Sequence, residues 1–225
     1  MINNIIFDID DTLFPSSEFA ALARRNAVRA MIRLGLDESE ERLMKDLESI
    51  IKKKGSNYPN HFDLLLKGLK IDNKSRFVAA AVGAYHDTKS AIQPFPDVPS
   101  TLLMLKDVGY NLYVASNGIA VKQWDKLIRL GVGLYMDGVF VSEELKCEKS
   151  EKFYRKMIKR IKADPGECMM IGDREDMDIL PAKKAGLHTA RVLRGKYRDK
   201  TKRTAADASI TDFRRLPSTV LKLSG

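Results

Sequence analysis

The chain has 225 residues, a formal net charge of +9, and 44% hydrophobic against 31% charged residues. That balance describes a globular protein, long enough for one large domain or a core with an insertion, and excludes a disordered chain. No apolar run approaches the roughly 20 residues of a membrane span, and no basic segment leading into a long apolar stretch marks a secretory signal.

Ile5-Ile6-Phe7 predicts a buried parallel strand, and Asp8-Ile9-Asp10-Asp11-Thr12 follows it at once. Side chains two apart in an extended backbone share a face. Asp8 and Asp10 therefore converge where the strand ends, with Thr12 close behind. Carboxylates packed in this way resist ionising together. A divalent cation relieves the repulsion, and hard oxygen donors suit Mg²⁺. The plainer reading is that some of these acids cap the turn or helix that follows.

From about residue 16 to 92 there is no convincing strand. Helical spacing covers 19–34, 38–52, 61–69 and 76–85, broken by Gly35, Gly55, Gly68 and Tyr58-Pro59-Asn60. Phe14-Pro15 and Gln93-Pro94-Phe95-Pro96 form defined joints, because proline restricts itself and the residue before it. A four-helix insertion at 16–93 is expected, leaving 1–15 and 94–225 as a core domain.

From residue 111 onward, short apolar runs alternate with helical stretches. Run 112–115 ends at Ser116-Asn117-Gly118, 139–141 at Ser142-Glu143-Glu144, 168–171 at Gly172-Asp173, and 189–193 at Arg194-Gly195. Between them 121–130, 149–161 and 178–185 carry helical spacing. Gly131 and Gly186 stand at C-terminal cap positions, and Asp164-Pro165 signals a turn or helix start. This alternation predicts an α/β fold with a parallel sheet wound on both faces. Ligands bind such sheets beyond the carboxyl ends of the strands. Asp8, Ser116 and Asp173 all fall there, which predicts one shared site. Cys147 and Cys168 form neither a metal-ligand spacing nor a disulfide framework. Cys168 reads as a small core residue, and a reducing, cytoplasmic compartment is expected.

Four motifs, in order, resemble those of the haloacid dehalogenase superfamily over nearly the whole chain. They are Asp8-Ile9-Asp10-Asp11-Thr12-Leu13, Ser116 within Ala115-Ser116-Asn117-Gly118, Lys149, and Gly172-Asp173-Arg174-Glu175-Asp176-Met177-Asp178. The helical insertion resembles that family's C1-type cap. The resemblance implies a Rossmann-like core, a helical-bundle cap and Mg²⁺-dependent phosphatase chemistry. Carried onto matching positions, Asp8 is the nucleophile that becomes an aspartyl phosphate. Asp10 protonates the leaving oxygen and later takes a proton from water.

In the same resemblance, Asp8, the Asp10 main-chain carbonyl and Asp173 hold the metal. The metal and Lys149 offset phosphoryl charge. Ser116 and the Asn117 amide bind a phosphoryl oxygen, Thr12 orders the loop and nucleophile, and Asp178 orients water, lysine or metal from behind. Lys146 competes with Lys149, since both follow the third strand, and Ser150 stands where family members often have proline. Ser116 has an alternative as a helix N-cap. Asp176 is solvated or shares the task of Asp178, while Arg174 and Glu175 face solvent. His61, His86, His188 and Trp124 are read as packed or solvated residues.

The dehalogenase and phosphonatase branches generally lack an acid two residues after the nucleophile, so Asp10 favours a phosphate monoester. Expected substrates are small phosphorylated metabolites: a sugar phosphate, glyceraldehyde phosphate, phosphoglycolate or nucleoside monophosphate. Caps of this kind close over small substrates and exclude macromolecules. A phosphotransferase of the phosphoglucomutase type would carry the same acids. The competing class is a basic nucleic-acid-binding or regulatory protein, motivated by Arg191, Arg194, Lys196, Arg198, Lys200, Lys202 and Arg203. A solvated basic loop is its plain alternative. No membrane partner is expected, and the oligomeric state is left open.

Overall fold

The computed structural model of the chain describes residues 1–56, 58–198 and 203–225. Among them the strands are β1 (Asn4–Phe7), β2 (Asn111–Ser116), β3 (Gly138–Val141), β4 (Cys168–Gly172), β5 (His188–Val192) and β6 (Ala208–Ile210). All pair in parallel, in the order β3-β2-β1-β4-β5-β6. A parallel sheet must be covered on both faces, and β1 and β4 are accordingly buried at every residue.

The register sets Phe7 beside both Val114 and Ile171. The end of β2 and the residues after β1 and β4 thus share one edge. The chain builds outward from β1 to β2 and β3, then returns to place β4 on the other side of β1. A reversal of that kind opens a crevice beyond the strand ends. Asp8 and Asp173 flank it.

The helices are α1 (Ser16–Arg33), α2 (Glu40–Lys54), α3 (His61–Lys67), α4 (Lys74–Ser90), α5 (Val98–Val108), α6 (Ala120–Arg129), α7 (Ser142–Leu145), α8 (Glu151–Ile161), α9 (Leu180–Lys184) and α10 (Leu216–Leu223). None of the described helices is long and apolar enough to cross a membrane. The chain divides into two compact units, Met1–Ser17 with Ile92–Gly225, and Glu18–Ala91. The sheet unit packs Ile6, Ala115 and Met170 against Phe153, Tyr154 and Met157 of α8. The helical unit has a core of its own, built from Ala27, Met31, Leu43, Leu47, Leu66 and Phe77. Its α2 is well capped: Ser39 Oγ accepts the Arg42 N–H at 3.2 Å, with acids in the first turn and lysines in the last.

Several elements depart from the sequence reading. Helix α5 occupies a stretch for which the sequence reading gave no element; its buried Val98, Thr101, Leu102 and Leu105 follow helical spacing immediately after the proline-rich joint. Strand β6 and helix α10 were not expected either. The helix expected from 149 begins at Glu151, because Ser150 takes the N-cap and accepts the Phe153 N–H at 3.4 Å. Lys149 is thereby left in the loop. The helix expected from 178 is preceded by a π-helical turn at Glu175–Ile179, with Pro181 in the first turn of α9.

Candidate active site

Past β1, the Asp8 N–H continues the ladder by donating to Ile171 O at 2.9 Å. The chain then turns back, Leu13 N–H donating to Ile9 O at 3.0 Å. Asp11 sits at a left-handed φ of 57°, a conformation that Asp tolerates better than most residues. Its carboxylate accepts the Ser17 N–H at 2.9 Å and the Ser17 hydroxyl, capping the first turn of α1. One of the three acids is therefore a capping residue, and it is Asp11.

Lys149 Nζ donates to Asp8 Oδ1 and, at 2.7 Å, to Asp178 Oδ1. Its side chain is only 3% exposed. Oxygens of Asp8, Asp173 and Asp178 lie within 4.8 Å of one another. Asp178 Oδ2 accepts the Arg174 N–H at 3.0 Å, so both oxygens of Asp178 are engaged. Gly172 makes this approach possible, since a Cβ at that position would overlap the Asp178 carboxyl group. In contrast, Asp173 Oδ1 and the Thr12 hydroxyl are buried with no hydrogen-bond partner among the described residues.

Burial dominates the electrostatics. It pushes Asp173 up to about 9, with repulsion from Asp8 and Asp178 adding to it. It raises Asp8 to about 7, outweighing the nearby Lys149 ammonium. Burial also opposes the charge on Lys149, but Asp178 and Asp8 together hold that ammonium well above the ordinary lysine value. Three buried acids thus share one lysine, and one acid keeps an orphaned oxygen. The donor set is oxygen only and hard, which fits a divalent cation such as Mg²⁺.

Ser116 is the last residue of β2 and is buried; its hydroxyl donates to Asn117 O at 3.4 Å. It does not cap α6, whose N-cap is Ile119. Asn117 Oδ1 accepts the Lys149 N–H at 2.8 Å, tying the loop after β2 to the lysine. Lys146 is exposed at the end of α7, so Lys149 is the lysine brought to Asp8. Asp10 stands apart from the buried acids, with a side chain 43% exposed. Lys126 Nζ donates to its two oxygens at 2.8 and 2.7 Å.

The sequence reading missed Lys126, Gln123, Tyr154 and Arg191. Gln123 is a buried polar residue four before buried Leu127, an anomaly on an inward helix face that the pattern did contain. Tyr154 Oη donates to Met177 O at 3.2 Å, bracing the π-helical turn from α8. Arg191 corrects the reading of a solvated basic stretch. It is 2% exposed, donates to Asp173 O at 3.1 Å and Tyr197 O at 2.9 Å, and pairs with Glu175 at 3.3 Å. Glu175 likewise does not simply face solvent, since it also accepts from the Thr204 hydroxyl and the Ala205 N–H.

Arg194 pairs with Asp97 and lies over the rings of Phe95 and Phe213, at 4.4 and 5.2 Å from their centroids. Arg198 and Arg203 are exposed, whereas Lys200, Lys202 and the Lys196 side chain lie outside the described residues. Arg174 pairs with Asp176 across the outside of the turn. His61 Nε2 bonds Gly55 O at 2.9 Å within the helical unit.

A family model described as haloacid dehalogenase-like hydrolase matches residues 2–186. The chain is similar to a glyceraldehyde 3-phosphate phosphatase of Methanopyrus kandleri, 48% identical over 95% of this chain and 92% of the relative. A glyceraldehyde 3-phosphate phosphatase of Methanocaldococcus jannaschii is 41% identical over 99% of both chains. Among solved structures, a putative beta-phosphoglucomutase from Thermotoga maritima shares the fold with a TM-score of 0.74, at 18% identity over 98% of this chain and 99% of the other.

Proposed function

This chain belongs to the haloacid dehalogenase-like hydrolase family, and from that premise we propose that it hydrolyses glyceraldehyde 3-phosphate with Mg²⁺ at the Asp8–Asp173 cluster. It is a phosphoric monoester hydrolase acting on a small phosphorylated metabolite. The substrate follows from the two similar phosphatases, whose likeness runs over nearly the full chain. The observation that carries the site is the buried contact of Lys149 with Asp8 and Asp178, beside an Asp173 oxygen that no described residue satisfies.

In this reading Asp8 attacks phosphorus, forming an Asp8 oxygen–phosphorus bond as the bond to the substrate oxygen breaks. Asp10 gives its proton to the departing oxygen. It then takes a proton from the water that attacks the aspartyl phosphate, returning Asp8 and releasing inorganic phosphate. The Ser116 hydroxyl and the Asn117 amide hold phosphoryl oxygens, and Lys149 offsets their charge while fixing the Asp8 carboxylate. Thr12 orders the loop around Asp8, and Asp178 orients Lys149. Asp8, the Asp10 main-chain carbonyl and Asp173 would hold Mg²⁺, which supplies neutralisation of the charge gathered there. Residues 1–15 with 94–225 are assigned as the core domain and 16–93 as the inserted helical domain.

A phosphate-release screen over phosphorylated metabolites, with Mg²⁺ and with EDTA, tests the reading. Glyceraldehyde 3-phosphate is expected to be turned over only with the metal. Asp8→Asn, with unchanged circular dichroism, is expected to lose at least about a thousandfold in kcat. Normal turnover by that variant ends the nucleophile assignment. A strong preference for another phosphate ester replaces the substrate.

A further inference from the structure

Lys126 contributes little to stability by ordinary standards, because its partner Asp10 is nearly half exposed and pairs of that kind are screened by solvent. Its placement is nevertheless specific. The ammonium donates to both Asp10 oxygens and, at 3.1 Å, to Gln123 Oε1. Gln123 Nε2 in turn donates to Asn117 O at 3.2 Å, and Asn117 Oδ1 accepts from the Lys149 N–H at 2.8 Å. The ammonium also lies over the Phe14 ring, 6.0 Å from its centroid. Gly118 keeps the line open: its φ is 127°, and a Cβ there would come within 2.7 Å of Gln123 Nε2. One chain of bonds therefore joins Asp10, outside the buried cluster, to the lysine that grips Asp8.

An exposed carboxylate on two free torsions samples several rotamers. A proton donor, however, must sit within hydrogen-bond reach of one particular oxygen. A misplacement of about 1 Å is costly to such a step. We infer that Lys126, itself held by Gln123, is the positioning residue that fixes the Asp10 carboxyl group for proton transfer to the leaving oxygen: the ammonium spans both oxygens of the ionised group, and when Asp10 carries the proton it holds one oxygen while the other presents that proton. The inference rests on the phosphatase reading above and deepens it. Lys126 acts through Asp10, so its importance depends on whether the leaving group needs a proton.

The test compares kcat/KM for glyceraldehyde 3-phosphate, whose alkoxide must be protonated, with 4-nitrophenyl phosphate, whose phenolate leaves without help. Lys126→Met is expected to lose about 10- to 100-fold on the first, within the range of general acid catalysis, and less than about 3-fold on the second. Lys126→Arg keeps the charge and is expected to recover most of the loss. In an Asp10→Asn background, Lys126→Met is expected to cost nothing further on the alkyl ester, since the two residues act as one unit. Equal losses on both esters, or fully additive losses in the double variant, overturn the inference. Wild-type turnover of both esters keeps the phosphatase reading standing whichever way Lys126 falls. If the wild-type protein hydrolyses neither, the reading itself fails and takes this inference with it.

Discussion

A carboxyl group buried without a partner is tolerated as the neutral acid or beside a cation, and poorly as a bare anion. Asp173 is in that position: burial pushes it up to about 9, and its Oδ1 has nothing to accept. Between the ordinary value of 3.8 and about 9, the unfolded chain has released this proton while the metal-free folded chain retains it. The unfolded state therefore binds fewer protons, and metal-free stability falls as pH rises through that window. Asp8, raised to about 7, acts in the same direction over a narrower range. Asp173→Asn is expected to melt several degrees higher than wild type in EDTA at neutral pH, a gain of about 1–3 kcal/mol. It is also expected to flatten the fall in stability with pH and to abolish stabilisation by Mg²⁺. Thermal scans in EDTA and in Mg²⁺ read all three effects; an unchanged melting temperature in EDTA would mean that the buried carboxyl carries no cost.

Two other acids work in the opposite sense, at the level of strands and helices. Asp137 Oδ2 accepts the Leu112 N–H at 2.8 Å and pairs with Lys106, fastening β2 to α5. Asp207 Oδ2 accepts from the Thr189 N–H and hydroxyl, both at 2.8 Å, and Oδ1 pairs with Lys183. Burial pushes both acids up, but the ammonium and the amide donors outweigh it and hold them below the usual carboxylate range. Their contribution is present above the unfolded value of 3.8 and is lost as pH falls through the folded value. The pair Asp137→Asn with Asp207→Asn is expected to lose less stability than wild type between about pH 5 and 3. The difference is small, about 1 kcal/mol at most once solvent screening is counted. Denaturant titrations across that range measure it, and parallel curves for both proteins would remove the claim.

These clamps also mark the limit of what local pattern reveals. β1, β2, β4 and β5 announce themselves as apolar runs ending in polar residues, so the strand-end positions of Asp8, Ser116 and Asp173 are legible. β6 is three residues long, Ala208–Ile210, and exists because β5 and the Asp207 clamp hold it. No period in the sequence encodes that. Lys126 was hidden for a related reason: its partner lies 116 residues away, and only the sheet order brings α6 to the first loop. Arg191 looked like surface charge because it was grouped with the basic residues from Arg194 onward, although it stands within the apolar run 189–193. Its burial depends on receiving Asp173 O, Glu175 and Tyr197 O from other segments.

At the scale of the whole chain, each unit has its own apolar core, which is the condition for each to behave as a separate cooperative body. Asp8, Asp10, Ser116, Lys149, Asp173 and Asp178 all fall in the unit Met1–Ser17 with Ile92–Gly225. That unit is discontinuous. Its central strand β1 comes from the first residues and pairs with β2 and β4 from far along the chain. A cation binding between the loops after β1 and β4 therefore ties together segments that meet only through the fold. Such binding stabilises the folded form by about 2.7 kcal/mol at a hundredfold excess over Kd. Hydrogen exchange with and without Mg²⁺ is expected to show slower exchange at the amides of Asp8, Arg174 and Asp178, whose hydrogen bonds lie in the segments that the ion would tie together. Amides across Glu18–Ala91, including those of core residues Leu43 and Leu47, are expected to exchange at the same rate in both conditions. Equal slowing in both units would show that the two cores are energetically one, and no slowing in either would show that the acid cluster does not take the ion.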